Sequence, residues 1–576
     1  MKTLKQTAVL IVYLFLLQIN VYSQTFEWAN HLTGNGEDVI LAIESDNIGN
    51  QVVVGTFYSS LNLAPPSQSQ FYLTSIGFGD IFIAKYDKNG LLLWGKHIGG
   101  TNVNGEEAQS IAINSKNEIY ITGYFYGLID FDPGVGVHTL NSNDQDGFLL
   151  KLDSNGTFLD VKQFGNNNAS GSSGMQILID NLDDLYLSGT FGGSMNLDFS
   201  GSTSFNVQSN NAQDIFIAKY DSALTLKYAI ALGGQFDQLP SSITMDENFN
   251  LYLGFNFNSI IDADPSQSSY LLTPVGDFDL AVVKFDSIGQ FIWAKSFGGN
   301  QDDLLSNIIV SDDLLLISGS FKSTVDFDPG PAVNNIISQG GFDMFISKFD
   351  LFGNYIQAQI YGAASDQFGG YFNVDKNKTI YIIGNFKGTV DFNPGPATNH
   401  FVAGSTEDAY LIKFDSIVNF QNAFQFTSTG FSSINLTCLS FDTCANIYLG
   451  GSFIGTVDCD PGNNSYSLNS TTSLADVFFV KLQSNSNCLS VGITEPENSD
   501  YSIYPNPTNG IIHLSNLICN ENIEIQILNS LGQIQLHQTF TNENAIELHL
   551  ENYPKGIYFL KYRCGSLCRT EKIILQ

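Results

Sequence analysis

The sequence predicts an all-β protein: seven copies of a four-stranded unit, then a small β-sandwich. Three observations carry this expectation. The stretch Asp80-Ile-Phe-Ile-Ala-Lys85-Tyr-Asp87 returns in related form at Asp146, Asp214, Asp279, Asp343, Asp408 and, worn, at Asp476, in steps of 66, 68, 65, 64, 65 and 68 residues. Charged residues make up only 14% of the chain, which holds 53 Gly and 45 Phe, a balance that favours short strands and turns over helices. The ends are complementary: Thr25-Phe-Glu-Trp28-Ala-Asn-His-Leu32 matches the stretches around Trp94 and Trp293, while the last copy lacks a good fourth strand.

The second copy shows the unit in order. Ser110–Asn114 reads as a first strand and Ile119–Phe125 as a second. Gly147–Asp153 follows as a third and Phe158–Phe164 as a fourth, separated by turns rich in Asn, Ser and Gly. Second strands recur at Val52–Phe57, Leu185–Phe191, Leu251–Phe257, Leu315–Phe321, Ile380–Phe386 and Ile447–Phe453. A four-stranded meander cannot bury both faces alone, so copies must stack. The N-terminal strand, added to Leu436–Phe441, Ile447–Phe453 and Val477–Leu482, closes the stack into a seven-bladed β-propeller over residues 25–483. A linear solenoid would leave both ends incomplete.

Together, the Asp-x-Phe-x-x-Lys-x-Asp stretch, the Asn/Ser-x-Gly turn and Trp-x-Lys-x-x-Gly-Gly resemble the bacterial seven-bladed-propeller repeats called SBBP. The likeness weakens in the seventh copy, where Gln483 stands for the closing Asp. It implies a fold more than a function.

Asp and Glu number 57 against 24 Lys and Arg, a formal charge of −33 that excludes nucleic acid and anionic membrane surfaces as partners. Lys2 and Lys5, the apolar run Ala8–Leu17 and Val21-Tyr22-Ser23 read as a signal peptide over residues 1–23. No later stretch is long enough to span a bilayer. All seven cysteines lie beyond residue 437, so disulfides do not hold the array together; Cys564 and Cys568 could face each other across a hairpin.

Several recurring residues read as structural. The second-strand glycine (Gly55, Gly123, Gly189, Gly319, Gly384, Gly451) implies close backbone approach, and the fourth copy departs, with Phe255 in its place. The third-strand lysine (Lys85, Lys151, Lys219, Lys284, Lys348, Lys413, Lys481) implies partly buried pairing between blades. Trp28, Trp94 and Trp293 read as packing residues.

The loop between second and third strands is the candidate site. It reads Asp130-Phe-Asp132-Pro-Gly134, Asp262-Ala-Asp264-Pro265, Asp326-Phe-Asp328-Pro-Gly330, Asp391-Phe-Asn393-Pro-Gly395 and Asp458-Cys-Asp460-Pro-Gly462, and is degenerate at Asn62 and Asn196. Asp-Pro-Gly is a good turn by itself. Paired carboxylates beside turn carbonyls are also hard oxygen ligands, so calcium at these aspartates is the functional reading. Acids in the fourth-to-first connections (Glu106, Glu107, Asp237, Asp302, Asp303, Asp366) fall on the same face. Seven scattered histidines, no Gly-x-Ser-x-Gly elbow and no P-loop leave no catalytic constellation. The expectation is a non-enzymatic binding or surface-structural protein for an extracellular glycan or protein. The alternative is a propeller hydrolase of polysaccharide or peptide, its departures at Asn62, Asn196 or Phe255.

Residues 484–500 are polar and aperiodic, a linker. Beyond them, alternating apolar and polar residues predict an Ig-like sandwich over 501–576. Tyr504-Pro505-Asn506-Pro507-Thr508-Asn-Gly510, a Ser530-Leu-Gly532 turn, Gly556-Ile-Tyr558 and the terminal Lys572-Ile-Ile resemble the C-terminal sorting domain of type IX secretion substrates. The resemblance implies a Bacteroidetes-type exporter, the type IX machinery as partner, and a secreted or outer-membrane surface location.

Overall fold

Every regular element among the described residues is a β-strand, and no closed barrel forms. The computed structural model describes residues 24–165, 171–200, 205–209, 212–266, 268–393, 395, 398–404, 406–484, 502–504, 506–515, 522–529, 534–541, 545–564 and 567–576. The signal segment 1–23, the linker beyond 484, Pro505 and the turn at 530–532 lie outside them. The chain divides into two compact units, Met1–Asn487 and Cys488–Gln576.

In the larger unit the first five copies are separate four-stranded antiparallel sheets, each paired in the order first, second, third, fourth strand. The first sheet is Val39–Ser45, Gln51–Phe57, Asp80–Tyr86 and Leu92–Ile98. Its two middle strands are buried at every position, whereas the fourth is mostly half-buried. Middle strands with both faces covered explain the near-continuous apolar runs of the repeat. Each successive pair of copies shares one core. Val54 and Ile83 of the first copy pack with Ile121 and Leu150 of the second, and the succession continues to Ile383 and Leu411 of the sixth against Leu449 and Val480 of the seventh. A further core joins Tyr448 and Phe479 of the seventh copy to Ile40 and Phe82 of the first. The order of packing therefore returns on itself.

The N-terminal strand Thr25–Gly34 runs antiparallel to Asp476–Gln483, with Phe26 opposite Leu482 and Leu32 opposite Val477, as the complementary ends imply. Thr437 Oγ1 then donates to Ile40 O at 2.6 Å, tying the seventh copy's first strand to that of the first copy.

One feature differs from expectation. The sixth and seventh copies lie in one ten-stranded sheet, because Phe420–Phe441 serves as fourth strand of one and first strand of the other; through the N-terminal strand the sheet also takes in the first copy's hairpin Ser60–Asn62 and Tyr72–Thr74. The backbone stays paired through Thr427–Thr429 and from Ser433 into the expected strand Leu436–Phe441, and the surplus residues bulge out at Gly430–Ser432.

The smaller unit is a sandwich. A three-stranded sheet (Ser502–Tyr504, Ile511–Ser515, Ala545–His549) and a four-stranded one (Ile534–Thr541, Asn522–Asn529, Gly556–Cys564, Leu567–Leu575) bury Ile512, Leu514, Ile525, Leu548, Leu560 and Ile573 in one core. Cys564 is in register with Leu567 and Cys568 with Arg563, so the two cysteines are not register partners. In the larger unit Cys438 and Cys459 are buried free thiols, and Cys444 is disulfide-bonded.

Candidate functional site

The acidic loops between second and third strands close the same way in every copy where both bonds are defined. Asp130 Oδ1 accepts the backbone N–H of Asp132 at 3.1 Å and of His138 at 2.8 Å. Asp262, Asp326, Asp391 and Asp458 repeat this, accepting from the residues two and eight positions on. Asp132, Asp328 and Asp460 each accept the N–H of the following glycine at 2.8 Å, and Asp264 that of Ser266 at 2.9 Å. In the two degenerate copies the neutral amide oxygens of Asn62 and Asn196 take the corresponding pair of bonds, from the residues two and nine positions on. A carboxamide that substitutes for the carboxylate shows that loop closure needs the oxygen and not its charge. Among the described residues, no three or more His, Cys, Asp or Glu side chains converge as metal ligands.

The connecting acids are used in a similar way. Asp237 and Asp366 accept N–H groups of Gln213 and Phe342. Asp38, Glu106 and Asp303 sit just before a first strand, 1%, 2% and 0% exposed, each beside the buried aspartate opening the preceding copy's third strand (Asp476, Asp80 and Asp279). Burial, reinforced by that neighbouring charge, pushes their carboxyls up to about 7, 8 and 7. Neutral Gln238 and Gln367 occupy the same place in other copies, both buried. Phe255, a departure singled out in the sequence, is 0% exposed and part of a core.

The recurring lysine does join copies. Lys85 Nζ contacts Asp46 at 2.8 Å within its own sheet and donates to Ser154 O of the next at 3.0 Å, and Trp94 Nε1 donates to that same carbonyl at 3.3 Å. Lys284 and Trp293 repeat the arrangement on Leu351 O. The recurring glycine meets the first strand of its own sheet rather than a neighbouring copy. A Cβ at Gly55, Gly189, Gly319 or Gly451 would lie 2.0–2.1 Å from a first-strand carbonyl oxygen.

Sequence reasoning missed a cleft of about 440 Å³ where the sixth and seventh copies meet. In the sixth copy the first strand starts late, at Tyr371, after Phe368-Gly369-Gly370. Those residues lean on the fifth copy: Gly369 N donates to Ser320 Oγ at 2.7 Å, and Gly370 O accepts from Ser318 Oγ at 2.7 Å. The seventh copy is left across a gap lined by Asn385, Asn435, Ser433, Ser452 and Glu407, over Leu436 and Phe453. Asn385 Nδ2 donates to Asn435 Oδ1 at 2.8 Å across it. The paired glycines before Tyr371 were the available sequence signal.

In the small unit, residues far apart in sequence converge. Asn506 Nδ2 donates to Lys572 O at 2.6 Å, its Oδ1 accepts from Ile574 N at 3.0 Å, and Thr508 N donates to Ile574 O at 2.8 Å. The motif at Tyr504–Gly510 is thus stitched to the terminal strand. Pro507 follows a cis bond, and Gly510 has φ 137 with Glu551 against the space a Cβ would fill. Tyr558 Oη donates to Pro554 O at 2.7 Å, while Gly556 opens that strand at φ 155.

Residues 502–576 match the family model of the secretion system C-terminal sorting domain. The tail is a type IX sorting domain. It marks the protein as a type IX secretion substrate, secreted or attached at the outer-membrane surface. For the chain as a whole, an uncharacterized WD repeat-containing protein of Acanthamoeba polyphaga mimivirus is 21% identical over 88% of the chain, which spans 39% of that protein. A DUF4221-family structure from Bacteroides vulgatus aligns with 80% of this chain and 98% of its own at 8% identity and TM-score 0.30. The extracellular domain of a hybrid two-component system from Bacteroides thetaiotaomicron aligns with 93% of this chain and 84% of its own at 11% identity and TM-score 0.17. No helix among the described residues is long and apolar enough to cross a membrane.

Proposed function

We propose that residues 25–483 form a seven-bladed β-propeller of the SBBP type, acting outside the cell as a non-enzymatic binding or surface-structural protein. The observation that carries the fold reading is the pairing of Thr25–Gly34 with Asp476–Gln483, supported by the cores that run from copy to copy and back to the first. The WD-repeat name of the viral relative agrees with it. The raised carboxyls of Asp38, Glu106 and Asp303 are at most 2% exposed, which favours binding over the hydrolase alternative. The sorting tail supplies the route, and its partner is the type IX machinery.

Expression of the full chain and of a chain ending at residue 500 in a type IX-competent bacterium tests the route. The full chain should reach the medium or cell surface and the truncated chain should stay in the periplasm; equal export would overturn the reading. Calcium at the aspartate loops is separated from loop closure by one melting series. A midpoint that rises in millimolar calcium and stops responding in Asp130→Asn and Asp326→Asn variants would place the ion there; an unresponsive midpoint would leave loop closure alone.

A further inference from the structure

We propose that the cleft between the sixth and seventh copies is a binding site for a neutral saccharide, a ligand class that specifies the exported binding-protein reading and rests on it. The cleft is where the repeat is broken at a cost. A Cβ at Gly369 would lie 2.3 Å from Gly319 O, and one at Gly370 1.5 Å from Ile383 O, so these positions admit only glycine, and their path is what opens the gap. In the one other copy with Asn at this position the clamp is shut. In the fourth copy Asn256 Oδ1 accepts from Leu305 N of the fifth at 2.7 Å and its Nδ2 donates to Leu305 O at 3.2 Å. In the sixth copy Asn385 Oδ1 reaches Leu436 N only at 3.4 Å, and its Nδ2 has turned to Asn435.

What the gap presents is uncharged hydrogen-bonding capacity on an apolar floor. Asn385, Asn435, Ser433 and Ser452 offer donors and acceptors together, which is what a run of hydroxyl groups requires. Phe368 and Tyr371, 40% and 49% exposed, stand at the rim as flat apolar faces for the C–H side of a sugar ring. Among the described residues no Lys or Arg lines the cleft and Glu407 is the one charged group there, and the whole chain carries −33, so phosphorylated, sulfated or uronic-acid ligands are disfavoured. A cleft of about 440 Å³ is within the size range of small-ligand sites.

The test is binding of the purified full-length protein to an array of neutral and acidic oligosaccharides, followed by titration calorimetry with a neutral hit. Binding to a neutral saccharide is expected, weakened about tenfold or more by Asn385→Ala with Asn435→Ala and by Ser452→Trp, which fills the cleft. Unchanged melting and circular dichroism identify variants that remain folded, and two unrelated ways of altering the cleft guard against one misfolding. No neutral saccharide bound, binding confined to acidic glycans, or affinity unchanged in the folded variants would each overturn the proposal. None of these outcomes affects export, which the truncation at residue 500 reads separately.

Discussion

The junction between the fourth and fifth copies and that between the sixth and seventh start from the same repeat and end differently. At the first, Asn256 is locked to both the N–H and the carbonyl of Leu305, and Gly319 lets the Leu304 carbonyl of its own sheet come close. At the second, Asn385 reaches Leu436 N only at 3.4 Å, and Gly384 faces the Tyr410 side chain rather than a first-strand carbonyl. The cleft thus goes with a pair of glycines, Gly369-Gly370, standing where the fifth copy has Leu305-Ser306. The lesson is that a repeat protein makes a site by loosening one interface while the others hold the frame.

Four experiments break or sharpen that comparison. The largest effect is expected from removing residues 25–34, which strips the last copy of its fourth strand and of Leu32, 0% exposed in the core joining the seventh and first copies. Burial of a few such side chains at ~1.5–3 kcal/mol each is comparable to the whole margin of a typical domain, so the larger unit should lose its cooperative melting transition; a retained transition at the wild-type temperature would contradict closure by this strand. Next, Gly319→Ala should cost ~2–3 kcal/mol by overpacking against a backbone carbonyl, and Gly384→Ala less, since a ring can yield; denaturant midpoints compare them. Third, Asn256→Ala should cost about 1–2 kcal/mol by orphaning both Leu305 groups, with Asn385→Ala near neutral. Equal costs would mean that the two junctions are equally closed.

The smallest effect concerns pH. The carboxyls of Asp38, Glu106 and Asp303 titrate higher folded than unfolded, so the folded state holds more protons between about pH 4 and 8. Their contribution is complete below the unfolded value and is lost as pH rises through the folded one, so the fold should be more stable at pH 5 than at pH 8. Glu106→Gln, which copies Gln238 and Gln367, should flatten this dependence and raise stability at pH 8 by about 1 kcal/mol. Urea melts at the two pH values read the difference, and an unchanged slope would show that Glu106 is ionised in the fold.

The frame and the tail were legible from residues alone. Seven copies of one stretch, and a Trp28 strand matching the fourth strands around Trp94 and Trp293, pointed to pairing of Thr25–Leu32 with the last copy, because strands cannot leave their backbone groups unmet. The sorting motif could be read from Tyr504 to Lys572, although its convergence on Asn506 could not. What the Asp-x-Asp loops do was undecided in the sequence, since one carboxylate suits both a turn and a cation; only the bonds to residues two and eight positions on gave it a task. The cleft was invisible for another reason. Gly369-Gly370 looks like any turn until the neighbouring copies are in place, because whether a bent strand seals or opens an interface depends on packing across copies some 65 residues apart. Local sequence fixed the strands and their order; the fit of one sheet against the next determined where an opening remained.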